Sequence, residues 1–127
     1  MPTNPLDAYQ SVERATLSGR ELEASVLMRA AQMLQEVRDS WQAPGLEDKL
    51  YQVLKHNQRI WTLFQSEWLQ EDNPLPTELR ENLLSLSAFV DKRTFEILSF
   101  PEPSKLEILI SINQNLAAGL RGNGSAE

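Results

Sequence analysis

Read at about 100° per residue, the apolar positions of this chain fall into stripes along helices and never alternate with polar ones as in a half-buried strand. Between Ser18 and Trp41, Leu22, Val26, Leu27, Ala30, Met33, Leu34, Val37 and Trp41 share an arc of about 140°. After Pro44-Gly45, an arc of about 120° holds Leu46, Leu50, Val53, Leu54, Ile60, Trp61, Phe64 and Trp68. Leu106, Leu109, Ile110, Leu116, Ala117 and Leu120 line one side of the last segment. The segment after Asn73-Pro74-Leu75-Pro76 differs. Leu79, Leu83, Leu86, Phe89, Val90 and Ile97 make one stripe, while Leu84, Ala88, Phe95 and Leu98 make a second on another side. A helix apolar on two sides is either central to a bundle or carries a face for a partner.

Proline and glycine punctuate these stripes. Pro5, Ser18-Gly19, Pro44-Gly45, Asn73-Pro74-Leu75-Pro76 and Pro101-Glu102-Pro103 each open a segment, and proline suits the first helical turn, where its missing N–H has no intrahelical partner. Ser18-Gly19-Arg20-Glu21 has the spacing of a capping box, so a helix start is expected there. The first segment, with Leu6, Tyr9, Val12 and Leu17, is short and weakly patterned and is expected to dock late or fray. The spacing predicts an all-α protein: a single compact helical bundle of about five helices over residues 1–121, followed by a disordered tail at 122–127.

Composition narrows the chemistry. The 127 residues contain no cysteine and one histidine, which excludes disulfides, thiolate metal sites, Cys nucleophiles and any site needing two imidazoles. His56 lies in Lys55-His56-Asn57-Gln58-Arg59, away from its helix's apolar stripe, and reads as a surface residue. Val53 stands where a bundle-core Glu-x-x-His pair would need its glutamate. Glu67, Glu71, Glu78 and Glu81 fall outside the main stripes and read as a solvated face. No enzyme activity, catalytic residue, cofactor or metal is expected. With 12 basic against 18 acidic residues the net charge is −6, so nothing draws the chain to nucleic acid or to an anionic membrane. Lys49, Lys55, His56 and Arg59 do cluster on one helix face, and direct RNA binding there is an alternative that the acidic balance disfavours. Neither a leader nor a long apolar run is visible, and a cytoplasmic location is the expectation.

Three asparagines stand out. Asn57 and Asn113 point to the centres of their helices' apolar arcs, and Asn82 lies near the edge of one. A buried amide needs partners. Asn57 and Asn113 either pair with each other or with backbone, fixing helix register, or line a groove and bind a helical ligand. Trp61 reads as core; Trp68, beside the Asn-Pro-Leu-Pro turn, is a candidate anchor for a partner.

In order, the chain shows Ala8-Tyr9, Glu23-Ala24, Ala30-Ala31 and Asn57-x-x-x-Trp61-x-x-Phe64. Asp72-Asn73-Pro74-Leu75-Pro76, Leu79-Arg80-x-Asn82-Leu83-Leu84-Ser85-Leu86 and Phe89-Val90 follow. Leu109-Ile110-x-Ile112-Asn113 and Leu116-Ala117-x-Gly119-Leu120 close it. This pattern resembles the FlaF family of flagellar biosynthesis regulators from about Ala8 to Leu120, and the NPLP…LRxNLLSL block is its most specific part. The resemblance implies a small cytoplasmic factor that binds flagellin and supports its synthesis and export as a secretion chaperone or adaptor. It also implies work with FlbT, a regulator of flagellin mRNA translation. Flagellin's terminal amphipathic helices are the expected ligand, ordered in a groove of the bundle. Leu84, Ala88, Phe95 and Leu75 are candidates for its apolar floor, Asn82 and Arg80 for polar clamps, and Trp68 for an anchor. A regulator contacting only FlbT or flagellin mRNA, without holding flagellin, remains the alternative.

Overall fold

The computed structural model describes residues 5–122, and the side chains of residue 5 and of residues 19–122. Four α-helices follow one another: α1 (Pro5–Asp39), α2 (Leu46–Trp68), α3 (Thr77–Ser99) and α4 (Glu107–Leu120). A 3-10 turn, Pro103–Leu106, leads into α4, with proline at its start as the sequence suggests. The all-α expectation holds, with four helices in place of five.

The difference lies at Ser18-Gly19. The chain stays helical through this pair, so the expected capping box opens no helix and the first two segments are one. A single interior glycine weakens a helix by about 1 kcal/mol, and the good helix formers Arg20, Glu21, Leu22, Glu23 and Ala24 follow it directly. Without a proline there is nothing to break the ladder of hydrogen bonds. Leu6, Tyr9, Val12 and Leu17, on which the docking of the first segment would depend, lie outside the described side chains, as does the tail from residue 123. Gly45 behaves differently: at φ 76° it takes the left-handed conformation that turns the chain from α1 into α2.

From Gly19 onward α1 packs against both α2 and α4, and α3 packs chiefly on α2. The core holds Leu27 and Leu34 of α1, Leu54 and Trp61 of α2, Leu109 of α4 and Ile97 of α3, all fully buried. Ala24, Ala30 and Ala31 on α1 and Ala117 on α4 are buried too, small side chains that let helix backbones approach closely. At the far end of this helix pair, Arg121 reaches Glu21 Oε1 and Ser25 Oγ, both at 3.4 Å.

Asn57 and Asn113 are fully buried and bonded to each other. Asn113 Nδ2 donates to Asn57 Oδ1 at 2.7 Å, and Trp61 Nε1 donates to Asn113 Oδ1 at 3.0 Å. Asn113 Nδ2 also points at the Leu27 carbonyl, 3.5 Å away. One amide on α4 therefore ties α2 and α1 together at the middle of the core. Of the two sequence readings of this pair, the register-fixing one describes the geometry. Asn57 Nδ2 is buried with no partner of its own.

Candidate functional site

Phe64 and Trp68, near the C-terminal end of α2, stack with ring centroids 5.5 Å apart and planes 12° from parallel. Trp61 meets both edge-on, at 6.3 and 6.1 Å. Phe64 and Trp68, backed by the fully buried Trp61, form one wall of a cleft of about 570 Å³ to which every helix contributes. Arg20 and Glu23 come from α1, Glu67 from α2, Asn73, Pro74 and Leu75 from the turn, Leu79 and Leu83 from α3, and Leu116, Gly119 and Leu120 from α4. A smaller groove of about 320 Å³ lies between α1 and α2, lined by Arg29, Met33, Glu36 and Lys49 among others.

The turn that closes the cleft is built by its own side chains. Asn73 Oδ1 accepts from the Leu75 N–H at 3.0 Å, an Asx turn that fixes the chain entering Leu75. Asn73 Nδ2 donates to the Glu67 carbonyl at 2.9 Å, and Arg80 Nη1 to the Gln70 carbonyl at 3.0 Å. The Glu67 carbonyl in the last turn of α2 and the Gln70 carbonyl just beyond it also accept the backbone N–H groups of Gln70 and Asn73, so each side chain adds a second bond, and Arg80 brings a favourable positive charge to this helix end. Leu75 is thereby held half-buried against the core, with the cleft beside it.

Charge in the cleft is uneven. Glu23 is half-buried, and this desolvation raises its carboxyl pKa above the ordinary value. The neighbouring Glu67 carboxylate pushes the same way, and the Arg20 guanidinium opposes both. Among the described residues, no group of three or more His, Cys, Asp or Glu side chains is placed to hold a metal ion. Among the same residues, no helix is long and apolar enough to cross a membrane.

The seven residues singled out in the sequence separate into three places. Trp68 and Leu75 line the cleft together. Arg80 is engaged in closing the turn. Asn82 is exposed on α3, Leu84 is half-buried against the core, and Ala88 and Phe95 are exposed farther along the helix, Phe95 by 71%. The second stripe of α3 is therefore a shoulder outside the cleft. Glu67, expected on a solvated face, is exposed and lines the cleft, while Leu116 and Leu120, expected only as an apolar stripe, and Glu23 join it from α4 and α1. Glu67 sits beside Trp68 at the edge of an apolar arc, and that adjacency was the one local signal of a mixed rim. His56 is half-buried on α2 and Lys49 and Arg59 are exposed, while Lys55 lies over the Tyr51 ring, 5.9 Å from its centroid.

The sequence model of the family described as "Flagellar protein FlaF" matches residues 5–120. No curated protein and no solved structure matches the chain significantly.

Proposed function

The chain belongs to the FlaF family of flagellar proteins, and on that premise we propose that it binds flagellin without catalysing any reaction. In this role it supports flagellin synthesis and secretion and couples translation to export. The observation that carries the reading is the four-helix cleft, with Trp68, Phe64, Leu75, Leu116 and Leu120 on its walls. Its volume falls in the range of about 300–1,000 Å³ typical of ligand pockets. Its position at one end of the bundle suits the apolar face of an incoming amphipathic helix, whose anchors recur at i, i+3, i+4 and i+7. Flagellin's terminal helices are amphipathic, and a factor that covers their apolar faces before export keeps them from associating early.

Calorimetry of the purified protein against monomeric flagellin, full-length and with either terminal helix removed, tests this. The expected result is saturable binding that disappears with one terminus and weakens at least tenfold, about 1.4 kcal/mol, in Leu75→Asp. Binding that survives Leu75→Asp but is lost in Leu84→Asp or Phe95→Asp moves the site to the α3 shoulder. Absence of binding to any form of flagellin overturns the reading.

A second reading makes the protein a post-transcriptional regulator acting through FlbT or flagellin mRNA without holding flagellin. The exposed apolar shoulder of α3 favours it, since Ala88 and Phe95 lie apart from the cleft and are free to meet a different protein. Competition between flagellin and FlbT for the bundle separates the two.

A further inference from the structure

At the cleft the exposed Glu67 of α2 stands close enough to the half-buried Glu23 of α1 to disfavour the Glu23 charge, and the Arg20 guanidinium opposes that effect. The rest of the lining is almost wholly apolar. A ligand that filled this space with hydrocarbon alone would desolvate Glu23 further and leave its charge uncompensated, which costs affinity. We infer that the occupant of the cleft is an amphipathic helix carrying a lysine or arginine beside its apolar anchors, and that Glu23 and Glu67 receive this cation between them. The inference rests on the cleft being the binding site of the proposed function, and it adds the charge that the ligand must carry. A second copy of this chain is the poorer candidate, because two molecules of net charge −6 repel each other.

Two consequences follow from the geometry. The carboxylate pair rejects a helix with glutamate at the same position, so the rim selects among amphipathic helices that the apolar floor alone would accept equally. Binding of a cation also favours the ionised form of Glu23, so affinity falls as pH drops through its raised pKa. The titratable groups facing it are Arg20 on its own helix and Glu67 on α2; among the described residues, the turn, α3 and α4 add none to the lining.

The test uses the full chain and two sets of synthetic helical peptides. One set is designed, with leucines at i, i+3, i+4 and i+7 and lysine, glutamine or glutamate at one flanking position. The other reproduces the two terminal helices of flagellin, each also with its flanking Lys or Arg changed to Gln. Calorimetry measures both sets against the wild type, against Glu23→Gln/Glu67→Gln and against Leu75→Asp, with circular dichroism confirming that each variant is folded. The lysine peptide is expected to bind about tenfold tighter than the glutamate peptide, and the double glutamine variant is expected to shrink that preference to about twofold or less. Loss of binding in Leu75→Asp places the peptides in the cleft.

An equal affinity for lysine and glutamate peptides overturns the inference, as does a preference that persists in the double variant. So does failure of every peptide to bind the wild type, or concentration-dependent dimerisation that Leu75→Asp abolishes. If the designed lysine peptide behaves as expected and neither flagellin helix binds, the charge rule stands and the flagellin assignment falls.

Discussion

Where α1, α2 and α4 come together, the fully buried side chains are Leu27, Leu34, Leu54, Trp61 and Leu109, braced by the Asn113 amide. Along α3 the buried positions are Ser87, Val90, Thr94 and Ile97. Two of those four are hydroxyl residues. Thr94 Oγ1 donates back to the Val90 carbonyl at 2.7 Å, and Ser87 Oγ lies with Asp91 at the Gln65 amide of α2. Of the two phenylalanines on α3, Phe89 is 37% and Phe95 71% exposed, and Phe100 just beyond the helix is 74% exposed. The three-helix unit is thus held by bulk at its centre, whereas α3 docks through a narrower buried seam, Ser87, Val90, Thr94 and Ile97, flanked by the half-buried Leu83, Leu84 and Leu86. Burying a Val or Ile side chain stabilises by about 1.5–3 kcal/mol, and Val90 and Ile97 are the fully buried apolar side chains of α3, against Leu27 and Leu34 on α1 and Leu54 and Trp61 on α2. The cleft opens where these two regions meet, with Trp68 fixed in the strong one and Leu79 and Leu83 supplied by the weak one.

Truncation on the two sides is the most forceful way to break this contrast. Trp61→Ala is expected to destabilise by about 4 kcal/mol, because it removes a fully buried indole and orphans the Asn113 carbonyl oxygen. Val90→Ala, at a fully buried position on α3, is expected to cost only about 2 kcal/mol. Urea unfolding curves measure both. Equal losses would mean that α3 is as integral to the core as the other helices.

The amide pair sharpens the same contrast from inside the strong region. Asn113 serves Trp61 and Asn57 at once, whereas Asn57 accepts one bond and has a buried Nδ2 that already lacks a partner. Asn113→Ala is therefore expected to cost about 3 kcal/mol and Asn57→Ala about 1–2 kcal/mol. The difference in their unfolding midpoints is the readout. If the two variants are equally unstable, the indole bond contributes nothing and the network reduces to the Asn–Asn contact.

How far these features could be read from sequence depended on whether a local rule governed them. Helical periodicity put Asn57, Asn113 and Trp61 at the centre of their stripes, and prolines marked the starts of α2, α3 and the turn before α4. These are properties of single helices. Ser18-Gly19 misled because a capping pattern is also compatible with a helix interior when strong helix formers flank it. On α3, periodicity identified Val90 and Ile97 but could not anticipate that Ser87 and Thr94 complete the buried seam, since their hydroxyls find partners only in the folded helix pair. The cleft was the least legible part. Trp68 and Leu75 were visible as apolar residues at a turn, but Glu23 and Glu67 lie on different helices and α4 brings in Leu116 and Leu120, so only tertiary packing joins them.

Glu23 provides the smallest and most selective probe of the junction between the two regions. Its pKa is raised first by desolvation and then by Glu67, with Arg20 opposing. The folded state therefore holds the Glu23 proton more tightly than the unfolded chain does. Stability linked to this group is fully present below the unfolded pKa and is lost as pH rises through the raised folded value. Glu23→Gln removes the ionisation and so should be slightly more stable than the wild type at neutral pH, by no more than about 0.5 kcal/mol, since solvent screens a half-exposed carboxylate. Thermal melts of the two proteins across the acidic range should converge as pH falls through the folded pKa, while the control Glu21→Gln, which removes the ion-pair partner of Arg121, should show no gain at neutral pH. A wild type that remains as stable as Glu23→Gln at every pH would mean that water reaches Glu23 freely, and the cleft wall between α1 and α2 would then be more open than its lining residues indicate.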